Sequence, residues 1–277
     1  MKDMALVEAP LIGPVAAPQL HIMSFNIRRR VMNVNRWSHD HWSRREPLVR
    51  KLLAAEQPTL LGVQEALPDQ LPAVLGGLGA NYQSIGDGRN ADGGGELCPV
   101  VYNEERLELI DWEQQALSNT PGKAGSTGWG NFVPRIVVVA RFQDRATGKE
   151  FTVLNAHLDH RSRKSRQRSM VAIREIVLET DGPVVVVGDF NTGVESQPYR
   201  TLTEGGLLTD AWITAERRIS DLWGTFPHYR EPRRGTKRID WILANAEVNV
   251  LETGINVTRY NGDWPSDHAP VQALITL

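Results

Sequence analysis

The segment Pro183–Val187 runs Pro-Val-Val-Val-Val and passes directly into Gly188-Asp189-Phe190-Asn191. Four β-branched residues in a row, with no polar alternation, have the composition of a strand covered on both faces. Such a strand needs a layer on each side of it. Helical patterns that can supply those layers recur along the chain. Residues 37–56 carry Leu48, Val49, Leu52 and Leu53 on one face, with Pro58 as a stop. A short helix is expected after Pro68, ending near Gly76 and Gly77, and a further helix is marked by Met170, Val171, Ile173, Ile176 and Val177. Further strands are expected from Gln19 to Asn26, at 59–63, 97–102, 107–117, 135–142 and 151–158, and at 238–243, 248–257 and 270–277. Residues 146–149 read as the hairpin turn before 151–158. Buried strands interleaved with amphipathic helices predict an α/β layered architecture. No internal repeat or low-complexity tract breaks the pattern.

The bulk numbers exclude several classes. With 31 Lys and Arg against 33 Asp and Glu, the formal charge of the 277 residues is -2. That balance is neither that of a polybasic nucleic-acid protein nor that of an acidic disordered chain. No apolar run is long enough to span a membrane, and the prolines and acids before Gln19 do not form a secretory signal. Cys98 is the single cysteine, so an intramolecular disulfide and a multi-cysteine zinc site are both excluded. Residues 1–18 read as a flexible arm before one domain at 19–277. These features predict a cytoplasmic protein with no obligate protein partner.

The chemistry is written where apolar runs stop. One run ends at Asn26, another at Gln64-Glu65, and a third at Asn155-Ala156-His157-Leu158-Asp159-His160. The valine run ends at Asp189 and Asn191. Asp240 sits inside the apolar segment Arg238-Ile239-Asp240-Trp241-Ile242, and Ser266-Asp267-His268 precedes the last strand. A lone Asp at a strand end is more often a turn former or helix cap. Six strand ends that all carry Asn, Asp, Glu or His are better read as one site, because ligands of α/β proteins bind at strand ends.

These motifs, in this order, resemble the endonuclease/exonuclease/phosphatase superfamily of metal-dependent phosphoesterases, from Ser24-Phe25-Asn26-Ile27-Arg28 to Ser266-Asp267-His268. The segment Leu117 to Arg135 further resembles a bacterial branch similar to deadenylase-type nucleases. The resemblance implies a four-layer α/β sandwich, two packed antiparallel or mixed sheets flanked by helices. It implies one active site to which both ends of the chain contribute. It also implies a phosphate-ester substrate, nucleic acid or nucleotide among the candidates, and Mg²⁺ or Mn²⁺ held by hard oxygen ligands.

On that resemblance Glu65, Asp267 and Asn26 form the metal site, and Asp189 orients or deprotonates water, with Asn191 holding a phosphate oxygen or that water. His157 and His268 donate to the non-bridging oxygens, and Asp240 fixes the tautomer of His268. A pairing of Asp240 with Arg238 is the bland alternative. Whether Asp189 or the Asp240–His268 pair is the general base stays open at this level. Arg135, Asn155, Arg163 and Arg166 are candidates for the substrate phosphate, and Asp159, His160 and Trp129 for the pocket rim. Trp129, Trp223 and Trp264 are candidates for stacking on a base or sugar, and Cys98 reads as a small buried hydrophobe.

Rival readings explain less. His157-Leu158-Asp159-His160 matches only the end of a metallo-β-lactamase signature, and Ser126 lacks the frame of a serine-hydrolase nucleophile elbow. Ala66-Leu67 after the glutamate argues against an abasic-site endonuclease, and the lack of a cysteine near Asp240 argues against an inositol polyphosphate phosphatase. A non-catalytic binding module predicts a missing metal or base residue, and none is missing. A nuclease-like phosphodiesterase therefore stands first, ahead of a phosphomonoesterase acting on a sugar, lipid headgroup or nucleotide. The near-zero net charge hides three basic runs, at 28–30, 161–168 and 228–238, which hold 13 of the 31 positive residues with one acid among them. Each adjoins one of the motifs, which predicts a positive field at the mouth of the site.

Overall fold

The computed structural model describes residues 9–277, so expectations for residues 1–8 lie outside it. In chain order the elements are β1 (Leu20–Asn26), α1 (Trp42–Glu56), β2 (Leu60–Gln64), α2 (Leu71–Leu78), β3 (Tyr82–Ile85) and β4 (Val100–Asn103). There follow β5 (Leu107–Ala116), β6 (Ile136–Asp144), β7 (Glu150–His157), α3 (Arg163–Glu179), β8 (Val184–Asp189) and α4 (Gln197–Thr203). The chain then forms β9 (Thr209–Asp210), α5 (Ala211–Thr214), β10 (Arg217–Arg218), β11 (Asp240–Ala244), β12 (Asn249–Ile255) and β13 (Val271–Thr276).

One sheet of seven strands runs β10-β12-β13-β1-β2-β4-β3, and one of six runs β5-β6-β7-β8-β11-β9. Both are mixed. β1 is parallel to β2 and antiparallel to β13, while β7 is parallel to β8 and β8 antiparallel to β11. The valine run shows why they stack. Val185 and Val187 face Ile22, Leu60 and Val100 of the other sheet, whereas Val184 and Val186 face Met170 and Ile173 of α3. On the outer side of the first sheet, Met23, Phe25, Leu61 and Val63 pack on Leu48, Leu52 and Val74 of α1 and α2. Period-two alternation in strands buried on both faces thus produces helix, sheet, sheet, helix.

Some boundaries differ from the sequence reading. The helix expected from residue 37 begins at Trp42, because Asn35 takes the N–H groups of Trp37 and Ser38 into a turn. α4 went unpredicted; it is too short to show a period and depends on Ser196, whose hydroxyl caps the N–H of Tyr199. The expected loose arm is tied down over residues 11–13. The N–H groups of Leu11, Ile12 and Gly13 all donate to the buried Glu56 carboxylate, at 2.7, 3.2 and 3.2 Å.

Asn155 is a structural clamp and not a substrate ligand. From β7 its Nδ2 donates across the gap between sheets to the carbonyls of Val63, Cys98 and Pro99, at 2.9, 3.0 and 2.9 Å. Its Oδ1 accepts from Gln64 Nε2 at 2.8 Å. Gly62 makes room for this, since a Cβ there would come within 3.0 Å of Asn155 Cγ. Cys98 is buried, as expected of a small hydrophobe. Among the described residues no helix is long and apolar enough to cross a membrane.

Candidate active site

Strand register assembles the site. His157 ends β7 and stands beside Asp189, which ends β8, and Asp189 stands opposite Asp240, the first residue of β11. These three residues form a row along one end of the second sheet. Asn26 and Gln64 are partners at the matching end of the first sheet, and Glu65 follows with φ +62°, a left-handed turn at the strand exit. The loop before β13 is bolted to them, because Ser266 Oγ donates to the Asn26 carbonyl at 2.7 Å. Thr225 Oγ1 accepts the N–H groups of Ile239 and Asp240 and so sets the entry of β11. Between the two sheet ends lies a cavity of about 760 Å³ that Glu65, His157, Asp189, Asn191, Asp267 and His268 line.

Asn26 links the two sheets chemically, its Nδ2 donating to Asp189 Oδ2 at 2.9 Å and to Glu65 Oε1 at 3.1 Å. Its Oδ1 accepts the N–H of Arg28 at 2.9 Å. The amide nitrogen of Asn26 thus positions two carboxylates, and its oxygen keeps one lone pair beyond the Arg28 N–H. Asp189 Oδ1 accepts the N–H of Asn191, and Asn191 Nδ2 donates to the Leu158 carbonyl and to His157 Nε2. His157 thus presents an accepting nitrogen. Burial, with Arg135 and Arg89 nearby, holds it well below its ordinary pKa and keeps it neutral.

His268 is the opposite case. Burial disfavours its charged form, but Asp240 and Asp189 outweigh burial and push it up to about 10. Its Nδ1 donates to Asp240 Oδ2 at 3.0 Å, and its Nε2 lies 3.7 Å from Asp189 Oδ2. Asp240 pairs with His268 and not with Arg238, which instead donates to Asp210 at 2.7 Å. Burial and then the adjacent Asp240 raise Asp189 to about 7.

Ligand atoms of Glu65, His157 and Asp189 lie within 4.8 Å of one another. Carboxylates so crowded, with Asp189 and Asp267 both pushed upward by burial, fit a divalent cation that would offset their charge. Asp267 lies outside that trio. Its Oδ2 is 3.6 Å from Arg28 Nε, and Arg28 reaches within 3.9 Å of Glu65. Arg28 is itself forked onto Asp40, which also accepts from Tyr229.

The outer candidates divide. Arg135 lines the cavity and is only 3% exposed, so it is no surface arginine. Asp159 accepts from Arg135 Nε at 3.4 Å and from the N–H groups of Arg161 and Ser162, which makes it a prop for Arg135. His160 lines the cavity. Trp129 does not; its indole donates to Asn119 and its carbonyl accepts from Ser162. Arg166 donates to the Asp159 carbonyl, and Arg163 is exposed on the first turn of α3, so neither reaches the cavity. Trp223 and Trp264 carry Arg234 and Arg259 on their faces and also lie away from it. Of the three basic runs, Arg28, Arg29 and Lys237 line the cavity, and the 161–168 run contributes nothing.

Sequence reasoning missed Arg89 and Glu96, which line the cavity as a forked ion pair, and Phe226, whose ring lies 4.7 Å from that of His268. A loop with Gly86, Gly88, Gly93, Gly94 and Gly95 around one such pair was the available signal. It also missed Arg45, fully buried, whose guanidinium holds the Ile27 and Arg28 carbonyls and so fixes the turn that presents Arg28.

The fold and this site define an α/β phosphoesterase-type sandwich. The chain belongs to the Endonuclease/Exonuclease/phosphatase family, whose profile it matches over residues 23–268. It is similar to a family member of known structure from Bacteroides vulgatus, 31% identical, with 94% of this chain and 99% of that one covered and a TM-score of 0.85. It is also similar to the Bacteroides thetaiotaomicron mannosyl-6-phosphatase Bt3783, 27% identical, with coverage of 93% and 100% and a TM-score of 0.87. A third similarity is to Protein angel of Drosophila melanogaster, 30% identical over 178 residues. That match takes in 58% of this chain and about half of Angel, 47%.

Proposed function

We propose that this protein hydrolyses phosphate esters in the cavity between the sheet ends, with Mg²⁺ or Mn²⁺ held by Glu65, His157 and Asp189. A bound divalent ion supplies neutralising charge for the phosphoryl group and a more acidic water. The observation that carries the reading is the row His157, Asp189, Asp240 with His268 closing it. Asp189, fixed by Asn26 and Asn191, would orient the attacking water and accept its proton. His268, held as an imidazolium by Asp240, serves as donor to a non-bridging oxygen and is not the base. Asn26 and Asn191 hold Asp189 in place.

Within that chemistry the lining favours a compact phosphomonoester. A polynucleotide is expected to need a basic track and stacking rings. Among the described residues no tryptophan lines the cavity, Phe226 is its one non-histidine ring, and the 161–168 run lies elsewhere. The full-length similarity to a mannosyl-6-phosphatase supports the same direction. The nuclease-like diesterase becomes the second reading, favoured by Arg28, Arg29 and Lys237 at the cavity.

The test is a panel of sugar phosphates, nucleotides, phenyl phosphate, a bis-aryl phosphate and oligonucleotides, each with Mg²⁺ and with Mn²⁺. Turnover of monoesters ahead of diesters, lost in Asp189→Asn, is the expected result. Preferential cleavage of diesters overturns the monoesterase reading, and full activity in Asp189→Asn overturns the site.

A further inference from the structure

The cavity is larger than a phosphoryl group needs, and part of its wall is the loop between β3 and β4. Arg89 and Glu96 stand opposite each other there. Nη1 donates to Oε2 at 2.7 Å and Nη2 to Oε1 at 2.9 Å, and Arg29 Nε lies 3.5 Å from the same carboxylate. The loop is closely folded, with Arg89 N–H donating to the Glu96 carbonyl and Gly88 N–H to the Gly93 carbonyl. A Cβ at Gly88 would come within 2.2 Å of the Gly94 carbonyl, so only glycine permits this turn. Leu97 N–H donates to the Ala66 carbonyl at 2.7 Å, which fastens the pair beside Glu65. A crevice bordered by Arg89, Glu96, Arg135 and His157 sets Arg135 next to the pair, and Arg135 Nη1 is buried with no hydrogen-bond partner.

We propose that Arg89 and Glu96 form a subsite for the leaving group of the substrate, and that it takes a neutral, hydroxyl-bearing group such as a hexose ring. This rests on the phosphomonoesterase reading above. A hydroxyl both donates and accepts, and the pair offers a carboxylate beside a guanidinium, which matches two neighbouring hydroxyls. A second phosphate or carboxylate would have to displace Glu96, which already occupies the fork of Arg89 and lies 3.5 Å from Arg29. An apolar leaving group would cover an ion pair without hydrogen-bonding to it. The hydroxyl-bearing neutral group is the class that meets none of these costs.

An ion pair that only staples the loop predicts something different. It would lower activity on every substrate alike when broken. The experiment compares kcat/KM for a hexose 6-phosphate with that for phenyl phosphate in wild type, Glu96→Gln and Arg89→Lys. Wild type is expected to prefer the sugar ester. Both variants are expected to cut that preference about tenfold or more, chiefly through KM for the sugar ester, because the lost contacts are made to its hydroxyls. Equal losses on both substrates, or a wild type with no preference for the sugar ester, overturn the subsite. A wild type that hydrolyses no monoester, or diesters first, overturns the underlying reading instead. If either variant fails to fold, the wild-type preference and the other variant still decide.

Discussion

Asp240 stands directly opposite Asp189 in the antiparallel pairing of β8 and β11, so two buried carboxylates share one face at one strand end. Two such groups cannot both ionise freely without a neighbouring positive charge. His268 supplies it, bonded to Asp240 at 3.0 Å and 3.7 Å from Asp189. The arrangement separates the roles of otherwise similar side chains. One histidine is held charged and the other neutral, and burial with the adjacent Asp240 raises Asp189.

Asp240→Asn removes the strongest influence that raises His268. The His268 pKa is expected to fall from about 10, followed as the movement of its ring resonances in an NMR titration. A pKa that stays put would mean that Asp240 is not what charges His268. Activity is expected to drop about a hundredfold or more in the same variant, since the donor to the phosphoryl oxygen is lost near neutral pH.

Glu65→Gln should weaken binding of Mn²⁺ about tenfold or more in a calorimetric titration, as a carboxylate is replaced by a poorer, neutral ligand. Asn26→Ala should weaken it as well, by freeing Glu65 and Asp189 from the amide that holds them. An unaltered isotherm for Glu65→Gln removes that residue from the ion site.

Asn155→Ala takes this donor from the buried Val63 and Cys98 carbonyls, while the Pro99 carbonyl keeps the N–H of Val63 at 3.0 Å. The expected cost is about 3 kcal/mol in urea unfolding, with KM little altered at a temperature where the variant is folded. A raised KM with no loss of stability would return Asn155 to the substrate.

His21, fully buried beside Glu56, is pushed down to about 4 because burial outweighs the attraction of that carboxylate. The unfolded chain binds the proton near pH 6.5 and the folded chain only near 4, so unfolding is increasingly favoured as pH falls between them. The loss reaches about 3 kcal/mol at the acid end of that window and is absent above it. His21→Asn should flatten this slope in denaturation measured from pH 7 to pH 4, and an equal slope in both proteins would assign it elsewhere.

The layered architecture was legible because burial on both faces leaves a mark on composition. The run at 184–187 alternates between the inter-sheet core and the α3 side, as its lack of polar residues implied. The short elements β3, α4, β9, α5 and β10 left no mark, since segments of two to seven residues held by capping or by one neighbouring strand show no period. Among the site residues, those at strand ends were readable and those facing sideways were not. Asn155 and Asp189 each lie in a buried strand, one residue type apart. Both face the gap between the sheets, and depth alone separates them: Asn155 pairs with Val187 two residues further in, while Asp189, beside His157 at the strand end, reaches the cavity.

By itself the sequence determined the class of fold and the strand ends at which its polar residues gather, because hydrophobic periodicity and composition are local properties. It could not determine which of those residues share a face, which amide oxygen is already engaged, or which histidine carries a charge. Those depend on register, on burial and on distances between residues far apart in the chain, such as Asn26 and Asp189 or Arg28 and Asp267. The tertiary structure decided them, since a pKa or a hydrogen bond belongs to a place in space and not to a position along the chain.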